Sequence, residues 1–310
     1  MTASKTGGDA RVSVVLGGLG GERDVSLRTG RAIHGALLRR GYEAVLVEWP
    51  GDGFGAMMRS EPHTVFVALH GAPGEDGTLQ GALEMAGHRF TGSGVRASAV
   101  SMDKALSKTI ARSEGVPTPR WETRARGDLR PSSLPLPVVV KPSRDGSSVG
   151  LSFVDDGATW PEALRRAWEG RGPALVEERV FGKEVTVALM DEVVLGTVEI
   201  RPAAGVYDYD AKYVRGDTQY VCPADVADAT LRQMERDAVR VARAIGTRGL
   251  VRVDFLVDAE QTAWFLEINT VPGMTERSLA PRIAQSHGWS FDELVERMVR
   301  AATLDGEAEG

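Results

Sequence analysis

The sequence predicts an α/β fold that opens on a parallel sheet and becomes α+β in its C-terminal part. Three observations predict it. Over residues 1–95, short apolar runs alternate with helix-length stretches, the pattern of parallel strands joined by helical crossovers. Near the middle, three consecutive valines run into Lys141 and a loop of small residues. Later, two apolar runs separated by a polar turn each carry acidic groups inside an otherwise buried-strand pattern.

In order, residues 12–16 read as a buried strand, followed by the glycine-rich turn 17–21. A helix is expected over 25–40, with Gly41 placed to end it. Strands follow at 44–49 and 64–69, then a helix at 79–86 stopped by Gly87. A second segment starts near Gly92 and holds a helix at 102–113, closed by Gly115 and Pro117. It continues with a strand at 137–141, the loop 142–150, a further strand, a helix around 160–168 and a strand at 174–179. The third segment has strands at 184–189 and 193–200. A loop then runs from Arg201 to Ala224, of the length expected of a functional lid or a disordered stretch. The helix at 227–245 carries Leu231, Met234, Ala238, Val241 and Ile245 on one face. Strands at 250–257 and 262–268 come next, and Ser290 with Glu293 forms a capping box for a last helix ending near Ala302. The segments 1–95, 96–178 and 179–310 are expected as three domains, with frayed polar ends at 1–10 and 305–310.

Composition limits the function classes. The chain has 310 residues, 42% apolar and 26% charged, with 37 basic against 43 acidic residues and a net charge of -6. A general nucleic-acid or anionic-membrane binder would carry a basic face instead. Cys222 is the sole cysteine, so no internal disulfide forms, and it is expected as a buried structural thiol. A reducing cytoplasm fits. The first residues lack an apolar signal core, and no apolar run reaches the roughly 18 residues of a membrane helix.

The strongest chemical signal is Val251-Arg-Val-Asp254 followed by Phe265-Leu-Glu267-Ile-Asn269. Strand alternation puts Arg252 with Asp254, and Glu267 with Asn269, on single faces that meet if the two strands pair. Two carboxylates and an amide oxygen suit Mg²⁺; a solvent-facing sheet with ordinary salt bridges is the plainer reading. Lys104 and Lys141 are point-charge partners for phosphate, and the loop 146–150 presents backbone N–H groups, although such loops are also common hairpin turns. No G-x-x-x-x-G-K-[ST] occurs. Gly18 and Gly20 partly imitate a dinucleotide fingerprint with Glu48 as ribose acid, but Arg23 stands where the third glycine belongs. His70 follows a strand, where ligands bind in parallel sheets.

Seven motifs then fall in one order. They are Gly17-Gly-x-x-x-Glu22-Arg-x-Val-Ser-Leu, Leu69-His70-Gly-x-x-Gly-Glu75-Asp-Gly, Thr91-Gly-Ser-Gly with Met102-Asp-Lys104, and Val140-Lys141-Pro-Ser-Arg-x-Gly-Ser147-Ser-Val-Gly. Tyr207-Asp-Tyr-x-Ala-Lys212-Tyr213, Asp217-Thr-Gln-Tyr-x-Cys-Pro-Ala and Glu267-x-Asn269-Thr-x-Pro-Gly273-Met-Thr-x-x-Ser278-Leu complete the series. In this the chain resembles the D-alanine–D-alanine ligases of the ATP-grasp superfamily, from about Val12 to about Ala302.

The resemblance implies a three-domain ATP-grasp ligase with an N-terminal parallel-sheet domain, a central domain and a C-terminal catalytic domain with a lid loop at 201–224. It implies ATP-dependent joining of two D-alanines through a D-alanyl phosphate, for peptidoglycan and hence cell-wall synthesis and cell shape, by a cytoplasmic homodimer. Glu22 would hold the first substrate's ammonium, with Ser147 and Tyr213 hydrogen-bonded to it and His70 beside that substrate. Arg252 and the Gly273 N–H would stabilise the oxyanion, and Ser278 with the Leu279 N–H would bind the second carboxylate. ATP would meet Lys104, Lys141, Ser148, Glu177, Glu178, Val180, Glu184, Lys212 and Leu266. Asp254, Glu267 and Asn269 would bind two Mg²⁺ or Mn²⁺.

Arg179 departs from the family pattern beside the adenine hinge, where it is expected to stack or salt-bridge; Ala72-Pro73 departs in the His70 loop. Tyr213 favours an amine as second nucleophile over D-lactate. A ligase of other second-substrate specificity (D-serine or D-lactate) and a non-catalytic nucleotide-binding protein are the alternatives. An ATP-grasp carboxylase would need a bicarbonate and biotin apparatus, for which no motif is present.

Overall fold

Six of the seven residues of β1 (Arg11–Gly17) are buried, as befits a strand covered on both faces. It pairs in parallel with β2 (Glu43–Trp49) and β3 (Thr64–Val67), giving the order β2-β1-β3. The computed structural model describes residues 11–146, 149–203, 216–276 and 278–308. These form two units, one built from 11–98, 247–251 and 270–308, the other from 99–246 and 252–269.

In the first unit α1 (Arg23–Arg39) turns Ile33, Ala36 and Leu37 inward and ends where expected. Gly41 (φ 83°) lets the chain reverse, with the Tyr42 N–H donating to the Leu37 carbonyl. The sequence reading missed α2 (Asp52–Met58), whose two glycines weaken any helical signal. α3 (Thr78–Ala86) stops at Gly87, which is left-handed at φ 72°. The core gathers Val15, Val47, Val65, Val67, Leu69, Leu79, Leu83 and Phe90. Residues 270–308 return to this unit with α8 (Leu279–Ser286), α9 (Phe291–Arg300) and α10 (Asp305–Ala308). Here the expectation of a frayed polar end is corrected for 305–308. Thr303 bridges to Phe90, the Val95 N–H donates to the Asp305 carboxylate, and Arg248 pairs with that carboxylate. Of the expected capping box the Ser290 half is seen, its Oγ accepting from the Glu293 N–H at 3.2 Å, while the Glu293 carboxylate accepts from Arg297.

Two buried histidines brace this unit away from the motif residues. Ser13 Oγ lies 2.7 Å from His63 Nε2, the His63 N–H donates to His88 Nδ1, and His88 Nε2 faces the Met57 carbonyl. Burial, with His63 acting in the same direction, holds the His88 pKa below its ordinary value. A depressed imidazole pKa means that the native state resists protonation. The stability is therefore intact above the unfolded value near 6.5 and is lost as pH falls through the folded value. The urea midpoint should fall between pH 7.5 and pH 5, and that fall should be smaller in His88→Gln, in which no ring titrates at this position. Equal pH dependence in both proteins would refute the assignment.

The second unit has two sheets. One has the antiparallel order β4-β7-β5-β6, from β4 (Trp121–Arg124), β7 (Ala174–Glu178), β5 (Val138–Pro142) and β6 (Ser152–Val154). Val138, Val140, Val154, Ala174 and Val176 face α6 (Trp160–Glu169), leaving Val139, Lys141 and Glu177 on the other side. β4, with only one aromatic among polar residues, escaped the sequence reading. The helix expected at 102–113 is α5 (Lys104–Ser113), and a separate helix, α4 (Val95–Met102), which the sequence reading missed, precedes it. Asp103 separates them by capping α5, accepting from the Ala105 and Leu106 N–H groups.

The other sheet has the order β10-β9-β8-β11-β12, with β8 (Lys183–Met190), β9 (Val193–Arg201), β10 (Gln219–Val221), β11 (Leu250–Val257) and β12 (Ala263–Asn269). α7 (Asp228–Ile245) buries Met234, Ala238, Val241 and Ile245, the stripe expected for it, while Leu231 is half-buried. The end of the long loop is a strand: β10 pairs with the end of β9. Cys222 is only half-buried, its thiol donating to the Thr197 carbonyl at 3.2 Å.

Candidate active site

The acidic strands pair as expected. In β11–β12, Arg252 stands opposite Asn269 and Asp254 opposite Glu267. Past that point the register shifts, Phe255 facing Phe265, so Leu266 is the extra residue of a β-bulge. The bulge lets Phe265 be fully buried while Glu267 and Asn269 stay half-buried on the face of Arg252. Arg252 donates from Nε to Asp254 Oδ1 and from Nη2 to Oδ2, both at 2.9 Å, and Thr186 Oγ1 donates to Oδ1 at 2.7 Å. Lys104 opens α5 and sends Nζ to the Asp145 carbonyl at 2.6 Å, with Glu267 Oε2 at 3.2 Å. Arginine, lysine and two carboxylates thus form a charge-balanced patch with an amide beside it. Among the described residues no group of three or more His, Cys, Asp or Glu side chains could hold a metal. Two opposed carboxylates and an amide oxygen still fit a hard cation whose remaining ligands are phosphate oxygens and water.

On the neighbouring sheet Glu177 is buried between two lysines. Lys108 Nζ lies 2.6 Å from Oε1, and Lys141 pairs with Oε2. The Lys108 contact is an ion pair off the hydrogen-bond direction; its aligned bonds go to Thr118 Oγ1 at 2.7 Å and the Phe265 carbonyl at 3.4 Å. Burial pulls the Lys108 pKa down to about 8, against the pull of Glu177. Burial also pulls Lys141 down, but the charges of Glu177 and Glu267 outweigh it and hold that ammonium above its ordinary value. Burial pushes Glu177 up, and the two lysines overcome it, bringing the carboxyl to about 2. Glu178 points the opposite way, with both oxygens on Arg120 at 2.8 and 2.9 Å. Arg179 both stacks and salt-bridges: its guanidinium lies 4.3 Å from the Phe153 ring centroid and 4.6 Å from that of Phe181, and pairs with Asp155 at 2.9 Å. Val180 follows β7 and is half-buried, Glu184 lies near the start of β8, and Leu266 is the bulge residue.

In the first unit Glu22 stands at the N-cap position of α1 without a side-chain cap bond and turns its carboxylate to Gly71. A Cβ at Gly71 would stand 2.6 Å from Glu22 Oε2, so only glycine leaves this approach open. His70 is buried, its Nδ1 3.2 Å from Glu75 Oε1 and its Nε2 3.2 Å from Thr29 Oγ1. Thr29 Oγ1 also accepts from the Met274 N–H at 3.4 Å, which ties α1 to the loop holding Gly273. Ser278 caps α8 and its Oγ accepts from the Thr275 N–H at 3.1 Å. Leu279 is the first residue of that helix, where backbone N–H groups lack intrahelical partners. The dinucleotide alternative loses its ribose acid, because Glu48 pairs with Arg23.

Ser147, Ser148, Lys212 and Tyr213 lie outside the described residues. Thr29, Lys108 and Thr186 were not singled out from the sequence, and Glu75 was named in the His70 motif without a role. Lys108 carried one readable signal, since it follows Lys104 by one helical turn on the same face.

Comparison with known proteins covers nearly the whole chain. The family model described as D-ala D-ala ligase C-terminus matches residues 110–300, and D-ala D-ala ligase N-terminus matches residues 52–93. The D-alanine–D-alanine ligase of Syntrophotalea carbinolica is 43% identical over 295 residues, 95% of this chain and 96% of that protein. That of Anaeromyxobacter dehalogenans is 44% identical over 299 residues, 95% of this chain and 97% of its own length. Among solved structures, the D-alanine–D-alanine ligase from Bacillus anthracis complexed with ATP has a TM-score of 0.84 at 28% identity, covering 97% of this chain and 99% of that one. The VanG D-Ala:D-Ser ligase from Enterococcus faecalis has a TM-score of 0.81 at 25% identity, covering 94% and 98%.

Proposed function

The chain belongs to the D-alanine–D-alanine ligase family, and on that premise we propose that it joins two D-alanines to D-alanyl-D-alanine, converting ATP to ADP and phosphate, for peptidoglycan precursor synthesis. The observation that carries this reading is the cross-strand set of Arg252, Asp254, Glu267 and Asn269, which joins a guanidinium to a hard-oxygen donor set.

The carboxylate of the first D-alanine attacks the γ-phosphorus of ATP. The bond to the β-phosphate oxygen breaks, and ADP leaves a D-alanyl phosphate. The free amine of the second D-alanine attacks the carbonyl, loses a proton, and the tetrahedral adduct expels phosphate. Such chemistry needs positioning and charge stabilisation more than covalent help. Glu22 takes the first ammonium, and His70, oriented by Glu75 and Thr29, lines that site. The resemblance adds Ser147 and Tyr213 to it. Asp254 holds Arg252 by two hydrogen bonds, so the guanidinium needs no reorganisation when the oxyanion forms; the Gly273 N–H is the second donor. Ser278 and the Leu279 N–H receive the second carboxylate at the α8 N-terminus.

Lys104, Lys141 and Lys212, with Ser148, serve the phosphates. Glu178, Val180 and Leu266 serve the adenine end, Glu178 through its backbone because its side chain is held by Arg120, and Glu184 serves the ribose. Asp254, Glu267 and Asn269 are the residues that would hold two Mg²⁺ or Mn²⁺, which supply neutralisation of phosphate charge. The division of labour follows the segments 1–95, 96–178 and 179–310. A cytoplasmic homodimer is part of the same reading, and among the described residues no helix is long and apolar enough to cross a membrane.

The test is ADP release with D-alanine, L-alanine, D-serine and D-lactate, singly and in pairs, with product masses. D-alanine alone should give D-alanyl-D-alanine, at a rate at least about tenfold above L-alanine, since the wrong enantiomer cannot place both ammonium and carboxylate. Faster turnover of D-lactate or D-serine than of D-alanine as second substrate at neutral pH would overturn the assigned specificity.

A further inference from the structure

Lys108 has no exposed surface at all, so it touches neither solvent nor a ligand. It donates to Thr118 Oγ1 and the Phe265 carbonyl and makes an ion pair with Glu177, and the Trp121 ring walls it off 5.7 Å away. A buried ammonium is costly, and an apolar side chain would fill this space at less cost. What the lysine supplies is a charge. Glu177 is a single carboxylate with a lysine on each oxygen. Two cations against one anion leave one positive charge in the cluster. Without Lys108, Glu177 and Lys141 would form a closed, neutral pair. Further charges act around this triad: Glu267, which pairs with Lys104, pulls on both lysines, and Glu184 pulls on Lys141, so the share of Glu177 that Lys108 takes up lessens the negative charge facing Lys141 without being the whole balance.

We propose that Lys108 is a positioning residue that shares Glu177, so that Lys141 meets a nucleotide phosphate as a cation less cancelled by its neighbours. This rests on the ATP-binding reading above and adds to it. Glu177 then serves as an internal counter-ion, not as a ribose ligand, and the phosphate affinity of Lys141 is set by a residue that no ligand touches.

The experiment compares wild type, Lys108→Met and Lys108→Met/Glu177→Gln. Equilibrium binding of AMP-PNP with Mg²⁺ is measured by calorimetry, together with ATP and D-alanine KM values and thermal midpoints. Lys108→Met should weaken AMP-PNP binding at least about tenfold and raise the ATP KM to match, leaving the D-alanine KM within about threefold. The double variant removes one charge of each sign and should recover AMP-PNP affinity to within about threefold of wild type. Wild-type binding by folded Lys108→Met, or a double variant no better than the single one, would overturn the proposal. If Lys108→Met does not fold, the double variant decides: near-wild-type affinity supports the proposal and a loss of about tenfold or more refutes it. A wild type that binds AMP-PNP but makes no dipeptide sinks the ligase reading and leaves the Lys108 comparison intact.

Discussion

Glu267→Gln should lower D-alanine-dependent ADP release by roughly a thousandfold or more, the several kcal/mol that a metal bound at a transferring phosphoryl group supplies. Glutamine keeps the length and shape of the side chain but loses the charge and one acceptor oxygen. Glu267 stands opposite Asp254 on the half-buried face of β12, with Lys104 at 3.2 Å. Its side chain is 27% exposed, so the substitution disturbs no core packing. The thermal midpoint should therefore move little while turnover collapses. Lys104, freed of its counter-charge, gains attraction for phosphate, so nucleotide binding without added metal should persist. Turnover within about tenfold of wild type at saturating Mg²⁺ would show that Glu267 holds no metal needed for the reaction.

Arg252→Ala should act on a different quantity. An oxyanion donor meets its charge only in the transition state, and losing one costs roughly 10²–10³ in rate. We expect kcat to fall by that factor with the KM for the first D-alanine changed less than about threefold. The same substitution takes two hydrogen bonds from Asp254, which is 6% exposed and keeps the one from Thr186, so some loss of thermal stability accompanies it. Arg252→Lys separates the two effects. It keeps a cation beside Asp254 but cannot reproduce the two-nitrogen contact, so stability should recover more than kcat does. An effect confined to KM in Arg252→Ala would remove Arg252 from the oxyanion role.

The pairing of the two acidic strands was readable in the sequence, for an identifiable reason. Carboxylates inside apolar strands are expensive, so their presence at residues 254 and 267 announced a purpose. Plain alternation placed Glu267 and Asn269 together, but it would also have put Phe265 on their face. The structure buries Phe265 on the opposite side because the bulge at Leu266 resets the phase of the strand. Nothing in Phe-Leu-Glu-Ile-Asn reveals a bulge, since no glycine or proline marks it. The break at Asp103 was legible in principle: an aspartate before Lys104-Ala-Leu is a good N-cap, and its two backbone bonds override an otherwise continuous helical pattern. Lys108 was invisible for the opposite reason. A lysine on a helix is ordinarily solvated, and only the tertiary approach of Glu177, Thr118 and the Phe265 carbonyl makes this one internal. The dinucleotide-like turn was set aside from spacing alone, and the Arg23–Glu48 pair supplies the physical cause.

The first unit takes its residues from both ends of the chain. Phe90 waits for Thr303, the Val95 N–H waits for Asp305, and Asp292 reaches Arg39 across 253 positions. During synthesis, then, residues 11–98 emerge before the residues that complete their unit. Among the described residues, the second unit has its strands once residue 269 has emerged, whereas the parallel sheet lacks α8, α9 and Thr303 until residues 279–303 have followed. The usual order of vectorial folding, N-terminal part first, is inverted here by the way the chain is wound.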